Sequence, residues 1–504
     1  VGLVLTNTLS GRKEPLAPRV AGRVGVYWCG VTVYSRSHVG HARAFITVDV
    51  LCRYLRARGL DVTLVRNFTD VDDKIIKRAA EEGLTTTALA EREITAFAED
   101  VSWLQCLRPT HEPRATGHID DMVAMIERLV ASGYAYPACD GSVYYRVRRF
   151  AGYGKLSHQR LEDMSPGEGI DPDKEDVHDF ALWKGAKPGE PTWPSPWGPG
   201  RPGWHLECSA MAQRYLGDGL DVHGGGTDLI FPHHENEIAQ SEADTGKPFA
   251  SLWMHNGMLT SGTEKMSKSL GNILSVPEVA RRVPAEALRL LYLGTHYRTP
   301  LDFSVARLEE ARGALERIYE TLARADEAAG GRHAPVALDG ALAAERLTPF
   351  PTAFCAAMDD DLNAAKAMGL VFDRVRDLNR ALDAGDRTEA AAVRAELARV
   401  GTGLGLMTAH PSALLHELRA RGVARAGLDE GAIEAAIAAR NDARARRDFQ
   451  EADAIRTRLR EDGIVLEDGP GGTTWKARGS ARGSAGDEAG PPNEGGRCAG
   501  DKDE

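Results

Sequence analysis

The chain has 504 residues, 42% hydrophobic and 27% charged, enough to bury substantial cores over about three or four domains. It carries no apolar run long enough to span a bilayer and no basic, apolar and small-residue succession at its start, so a cytoplasmic protein without membrane contact is expected. The net charge of −11 excludes indiscriminate nucleic-acid binding, leaving room only for a local basic groove, and seven scattered cysteines fit reduced thiols or metal ligands better than a disulfide framework.

In chain order, Val24 to Tyr34 is rich in Val, Tyr and Trp and alternates, which predicts a strand. His38 to Arg58 follows at helical spacing, then a strand over Val62 to Val65 and helices over Asp72 to Glu82 and Thr86 to Gln105. Strands alternating with helices predict a parallel sheet whose ligands bind beyond the carboxyl ends of the strands. His111 to Ser132 reads as a further helix and Ser142 to Arg148 as a strand, while Lys187 to Gly203 is dense in Pro, Gly and Trp and reads as an insertion. The α/β pattern resumes with a strand over Leu220 to His223, three glycines, and a helix opening at Pro232. One sheet is thus split around an inserted segment. Residues 305 to about 400 repeat Ala, Leu, Glu and Arg at helical period, predicting a bundle, and Glu430 to Asp462 adds a small helical unit. The stretch 477–504 is Gly, Ser, Pro and charge, the composition of a disordered tail.

His38-Val39-Gly40-His41 opens a helix just after a strand, with imidazoles at i and i+3 on one face, at a helix end that attracts anions. Gly40 leaves space for a base or phosphate against the backbone. Lys265-Met266-Ser267-Lys268-Ser269 lies between Gly262 and Gly271, a glycine-flanked loop with two cations suited to charge developing on phosphates. Either alone is more often a plain helix start or a solvated loop. Together, in this order and separation, they resemble the HIGH and KMSKS signatures of class I aminoacyl-tRNA synthetases. That resemblance implies attack of an amino-acid carboxylate on the ATP α-phosphorus, with ATP carrying Mg²⁺. It assigns His38 and His41 to the phosphates and Lys268, then Lys265, to the transition-state charge. Gly40 and the strand-end run Gly224, Gly225, Gly226 and Asp228 would lie beside the nucleotide.

Cys29, Cys208, His233 and Glu237 are zinc-ligand types, and His233 and Glu237 fall at i and i+4. Spacing alone does not join them. A metalloprotease pattern fails, because Ile238 stands where the second histidine of His-Glu-x-x-His belongs. The strings Cys29 to Tyr34, Asn67 to Ile75, Gly203 to Met211 and His223 to Glu237 resemble the cysteinyl-tRNA synthetase family from about Leu5 to Lys476. By that resemblance the four side chains hold one zinc ion per chain, the substrate thiolate joins them, and Thr69 and Trp204 line the cysteine pocket. Four protein ligands ordinarily close a zinc site, so expansion to five-coordination or a weakly held Glu237 is implied. The resemblance also implies a Rossmann-like parallel-sheet catalytic domain in two halves (1–107 and 201–257) around an insertion (108–200). A KMSKS and stem-contact region (258–304), a helical bundle (305–409), a small anticodon-binding domain (410–476) and the tail complete it. Arg444, Phe449 in place of the usual tryptophan, Asp453 and Asp468 would face the anticodon. The implied partners are tRNA(Cys), L-cysteine and ATP, and the implied state is a monomer.

Two rivals stand beside this reading. A cysteine ligase that delivers cysteine to an amino sugar for a small-thiol pathway would share the active-site strings but largely lack the C-terminal third. A catalytically silent tRNA-binding relative would be expected to lose a histidine, lysine or metal ligand, and none is missing.

Overall fold

A short antiparallel hairpin, β1 (Val4–Asn7) and β2 (Arg12–Pro15), precedes the strand on which the site is built, β3 (Arg23–Thr32). The computed structural model describes residues 2–164, 172–262, 264–265, 273–330, 350–427, 429–469 and 472–477. The chain forms two compact units, Val1–Thr408 and Ala409–Glu504.

In the first unit β3 runs into α1 (Val39–Ala57), which returns to β4 (Asp61–Thr69), followed by α2 (Asp73–Glu82) and α3 (Thr86–Trp103). β4 outruns the expected strand by four residues, Arg66 to Thr69. These stay extended because their polar groups find partners at a distance: Arg66 lies over the Phe45 and Phe97 rings at 5.0 and 4.9 Å and pairs with Glu112, and the Asn67 side chain accepts the Gly30 N–H at 2.9 Å. The helix expected from His111 begins only at Ile119. Residues 111–114 instead pair beside β4, and Asp70 accepts from the backbone and hydroxyl of Thr116 to start a short 3₁₀ turn.

The inserted segment comprises α4 (Ile119–Ala131) and an antiparallel four-stranded sheet, β5 (Ala135–Pro137), β6 (Val143–Tyr145), β7 (Phe180–Gly185) and β8 (Gly200–Pro202). α5 (Trp204–Leu216) then leads back to β9 (Leu220–Gly226), α6 (Glu235–Thr245) and β10 (Ala250–Asn256). The parallel sheet has the order β10-β9-β3-β4, so the strands before and after the insertion join at β3 and β9. That junction is where the strand order reverses, the place at which open α/β sheets form ligand crevices. Gly30 marks the irregularity in the β3–β4 register, and a Cβ there would stand 1.7 Å from the Asn67 carbonyl oxygen. Gly30→Ala is expected to cost about 3 kcal/mol or more of stability by overpacking two strands, read as a lowered urea midpoint at constant m-value.

Beyond β10 lie the short strands β11 (Leu259–Ser261) and β12 (Glu264–Lys265), α7 (Val276–Arg282), α8 (Ala285–Leu293), β13 (Leu301–Asp302) and the long α9 (Val305–Ala328). Helices Thr352–Met358, Ala364–Asp383 and Arg387–Leu404 complete the helical part of this unit. The second unit has helices Pro411–Ala426, Glu430–Ala445 and Phe449–Glu461 and a hairpin of Ile464–Gly469 with Gly472–Ala477. Its own core joins Val423, Ile433, Ile437, Leu459, Ile464, Leu466 and Trp475. Of residues 477–504, expected to be a disordered tail, Ala477 instead ends the hairpin strand and 478–504 lie outside the described residues.

Candidate active site

At the carboxyl end of β3 and β9 a cleft of 630 Å³ brings together His38, Gly40 and His41 from the start of α1 with Gly225, Gly226 and Asp228 beyond β9. His38 is the N-cap of α1: its Nδ1 accepts from the backbone N–H groups of Gly40 at 3.1 Å and His41 at 3.3 Å. That leaves the neutral ring its proton on Nε2. The His38 and His41 rings stack with centroids 3.6 Å apart, forming one imidazole face at a helix start that favours anions. A Cβ at Gly226 would approach within 2.3 Å of the Asp228 carboxylate, so a side chain there would push that carboxylate aside. Gly224, expected beside the nucleotide, does not line the cleft. It packs under the Trp28 ring, which a Cβ would meet at 2.3 Å, so its role is to let β9 lie against β3.

Arg43, two residues past His41 and buried, donates to the carbonyls of Gly257, Met258, Tyr297 and Thr299. It thereby ties α1 to the root of the β11 hairpin. In that hairpin Lys265 pairs through its backbone with Thr260. Lys268 and the loop to residue 272 lie outside the described residues.

Cys29, which lines the cleft, also belongs to a buried donor cluster. Cys29 comes from β3, Cys208 from α5, and Glu237 from the first turn of α6. His233 sits in a turn spanning Ile230–His234 that precedes α6, so the helix opens at Glu235 and not at Pro232. All four are buried, and their ligand atoms lie within 4.8 Å of one another. A second set, Cys29, His223, His234 and Glu237, meets the same criterion and shares Cys29 and Glu237 with the first. Sulfur, imidazole and carboxylate donors together suit zinc. Glu237 divides its oxygens: Oε1 lies 3.0 Å from His233 Nε2 and 3.5 Å from Cys29 Sγ, and Oε2 takes a 2.8 Å contact from His223 Nε2. Burial works against ionising Glu237, but the His223 and His233 charges pull its carboxyl down to about 2. Burial likewise opposes a thiolate at Cys208, and the hydrogen bond from the Cys29 thiol, 3.8 Å away, brings it down to about 6. The cluster is thus poised to hold negative donors that attract a cation. His205 meets His233 through their Nδ1 atoms at 2.9 Å and fixes that ring, and Trp204 stacks on it with centroids 4.2 Å apart.

Trp204 lines the cleft, whereas Thr69 is buried with its hydroxyl donating to Glu207 at 2.7 Å and does not reach the cleft wall. The histidines at 205, 223, 234 and 255 carry no assignment from spacing. The available signal was density, since five of the fifteen histidines fall between His205 and His255. In the second unit Arg444, Phe449, Asp453 and Asp468 are all exposed. Asp468 accepts from Arg440 at 2.9 and 2.7 Å and lies 3.2 Å from Arg444, while Phe449 is 63% exposed one helical turn before Asp453.

No helix among the described residues is long and apolar enough to cross a membrane. The solved Mycobacterium tuberculosis methionyl-tRNA synthetase bound by methionyl-adenylate superposes with a TM-score of 0.54 over 81% of this chain and 95% of that one, at 16% identity, a likeness of fold. Residues 15–313 match the family described as tRNA synthetases class I (C) catalytic domain. Residues 353–408 match the DALR domain, and residues 425–475 match the cysteinyl-tRNA ligase anticodon binding domain. A cysteine–tRNA ligase of Geobacter metallireducens is 51% identical over 95% of this chain and 100% of its own length. One from Thioalkalivibrio sulfidiphilus is 52% identical over 94% and 99%. With such relatives aligned over nearly the whole chain and family models matching its catalytic and anticodon-binding regions, the chain belongs to the class I cysteinyl-tRNA synthetase family.

Proposed function

We propose that this protein activates L-cysteine with ATP and transfers it to the 3′ end of tRNA(Cys). The observation that carries the reading is that Cys29, which lines the cleft holding His38, His41 and Asp228, meets Cys208, His233 and Glu237 in one buried donor cluster. A zinc ion held by those four side chains would bind the substrate sulfur as a thiolate and so favour cysteine over serine, whose hydroxyl is a poor ligand. His223 and His205 fix Glu237 and His233 so that the donor set is oriented before substrate arrives. A pocket selecting by sulfur has little need for proofreading.

The cysteine carboxylate attacks the α-phosphorus of ATP, and pyrophosphate leaves with the bond electrons. His38 and His41 at the start of α1 bind the phosphates, and Asp228 lies beside the nucleotide. A ribose hydroxyl of the tRNA then attacks the acyl carbon; the acyl–phosphate bond breaks, and AMP departs with the bond electrons and the hydroxyl proton. The second unit supports delivery to tRNA over delivery to an amino sugar, because its exposed Phe449, Asp453 and Arg444 can stack on and hydrogen-bond unpaired bases.

Lys268 is assigned to the charge that builds up as pyrophosphate leaves. Lys268→Ala is expected to slow single-turnover adenylate formation by about a hundredfold while ATP affinity changes far less. An unchanged chemical step with weakened ATP binding would move Lys268 to ground-state recognition.

A further inference from the structure

α8 carries two buried charges of opposite sign one turn apart, Glu286 and Arg289, and neither lines the cleft. Both grip the same short stretch, residues 404–408, which ends the first unit. Arg289 donates to the Leu404 carbonyl at 2.8 Å and to Asp49 of α1 at 2.6 Å. Glu286 accepts from the Met407 N–H at 2.7 Å through one oxygen, and from the Thr408 N–H at 3.0 Å and hydroxyl at 2.6 Å through the other. The Tyr319 hydroxyl of α9 lies 2.9 Å from both oxygens. A buried carboxylate is costly to place, and one that accepts from this many donors is firmly held. The backbone it holds is strained. Met407 is a non-glycine residue at φ 56°, and a Cβ at Gly405, φ 65°, would stand 2.1 Å from the Arg289 guanidinium. Such a conformation persists only where its surroundings over-determine it.

Ending the helix does not require this clamp, because Gly405 already caps Leu404 in the left-handed conformation, its N–H returning to the Gly401 carbonyl. Met407 and Thr408 are held for another purpose. The second unit begins at Ala409 and its first helix at Pro411, so only residues 409–410 link the clamped strap to that helix. Without the clamp the free link would run over residues 405–410, about three times longer, and a tethered partner is diluted roughly as the −3/2 power of tether length, about fivefold here. We propose that Glu286 is a positioning residue for tRNA charging: by pinning Met407 and Thr408 to α8 it keeps the link to the second unit short, so that a tRNA held by that unit meets the cleft at high effective concentration. Glu286 touches neither substrate nor the reacting atoms, and activation does not pass through it. The inference rests on the synthetase reading above.

The test uses the full chain and sets charging of tRNA(Cys) against two references that do not call on the second unit. These are cysteine-dependent pyrophosphate exchange, and transfer from preformed adenylate to an acceptor-stem hairpin with the same 3′ end and no anticodon. Glu286→Ala is expected to raise the KM for full-length tRNA about fivefold, with kcat, exchange and hairpin transfer within about twofold of the unaltered protein. Glu286→Gln keeps the volume but offers one acceptor oxygen where two are used, and should raise the same KM by about threefold. A purely structural role would scale every rate with the folded fraction and leave the KM for tRNA where it was. An unchanged KM in Glu286→Ala therefore overturns the proposal, as does a fall of exchange or hairpin transfer by the same factor as charging. Should Glu286→Ala fail to fold, Glu286→Gln decides alone, an unchanged KM again overturning the proposal. Absent exchange in the unaltered chain is a different result, which strikes the synthetase reading itself.

Discussion

Cys208→Ser is expected to lose bound zinc and cysteine activation together. Cys208 is 1% exposed, 3.8 Å from the Cys29 sulfur, and lies in both sequence and space beside the groups that orient the cluster. Replacing a group that only orients a zinc ligand typically costs about 10–100-fold, so removing a ligand should cost at least about a hundredfold in cysteine-dependent exchange. The hydroxyl keeps nearly the same volume, and the variant should therefore fold, which thermal unfolding checks. Metal content per chain and exchange rate are measured on the same preparation. Full exchange without zinc would contradict selection by a metal-bound thiolate.

Removal of residues 409–504 is expected to separate activation from charging. Every residue assigned to activation lies within Val1–Thr408, and the second unit is built round a core of its own. Cysteine-dependent exchange should persist within about twofold, while charging of tRNA(Cys) should fall by about a hundredfold or more if, as proposed, Phe449, Asp453 and Arg444 contact the anticodon bases. Asp453→Ala in the full chain should reproduce the smaller part of this effect and relax rejection of tRNAs with altered anticodons. Undiminished charging by the shortened chain would refute the anticodon assignment and favour the amino-sugar acceptor.

The signature at the start of α1 was legible because its chemistry is local, whereas Lys268 lies outside the described residues. His38 and His41 need only a helix start to face one way, and the structure stacks them there. The donor cluster was legible only through family resemblance, since Cys29 and Cys208 are brought together by a sheet that resumes after a long insertion, a relation that periodicity cannot carry. Its histidine surround was missed for the same reason: His223, His234 and His205 act through partners on other elements. Arg66 and Asn67 concealed the length of β4, because buried polar side chains satisfied from afar interrupt the apolar pattern that predicts a strand. Pro232 suggested a helix start, but the chain makes a wider turn first, and this turn places His233 ahead of α6. Gly224 looked like a ligand-approach glycine and serves packing against Trp28, a distinction that needs the neighbouring strand.

The most direct test of the account supplies the purified, zinc-loaded protein with ATP, labelled cysteine and an equimolar mixture of tRNA(Cys) and an amino-sugar acceptor, and identifies the labelled product. Cysteine esterified to the 3′ end of the tRNA, with serine failing to replace it, is the predicted result; label on the amino sugar, or cysteine activation that never reaches tRNA, would contradict the account.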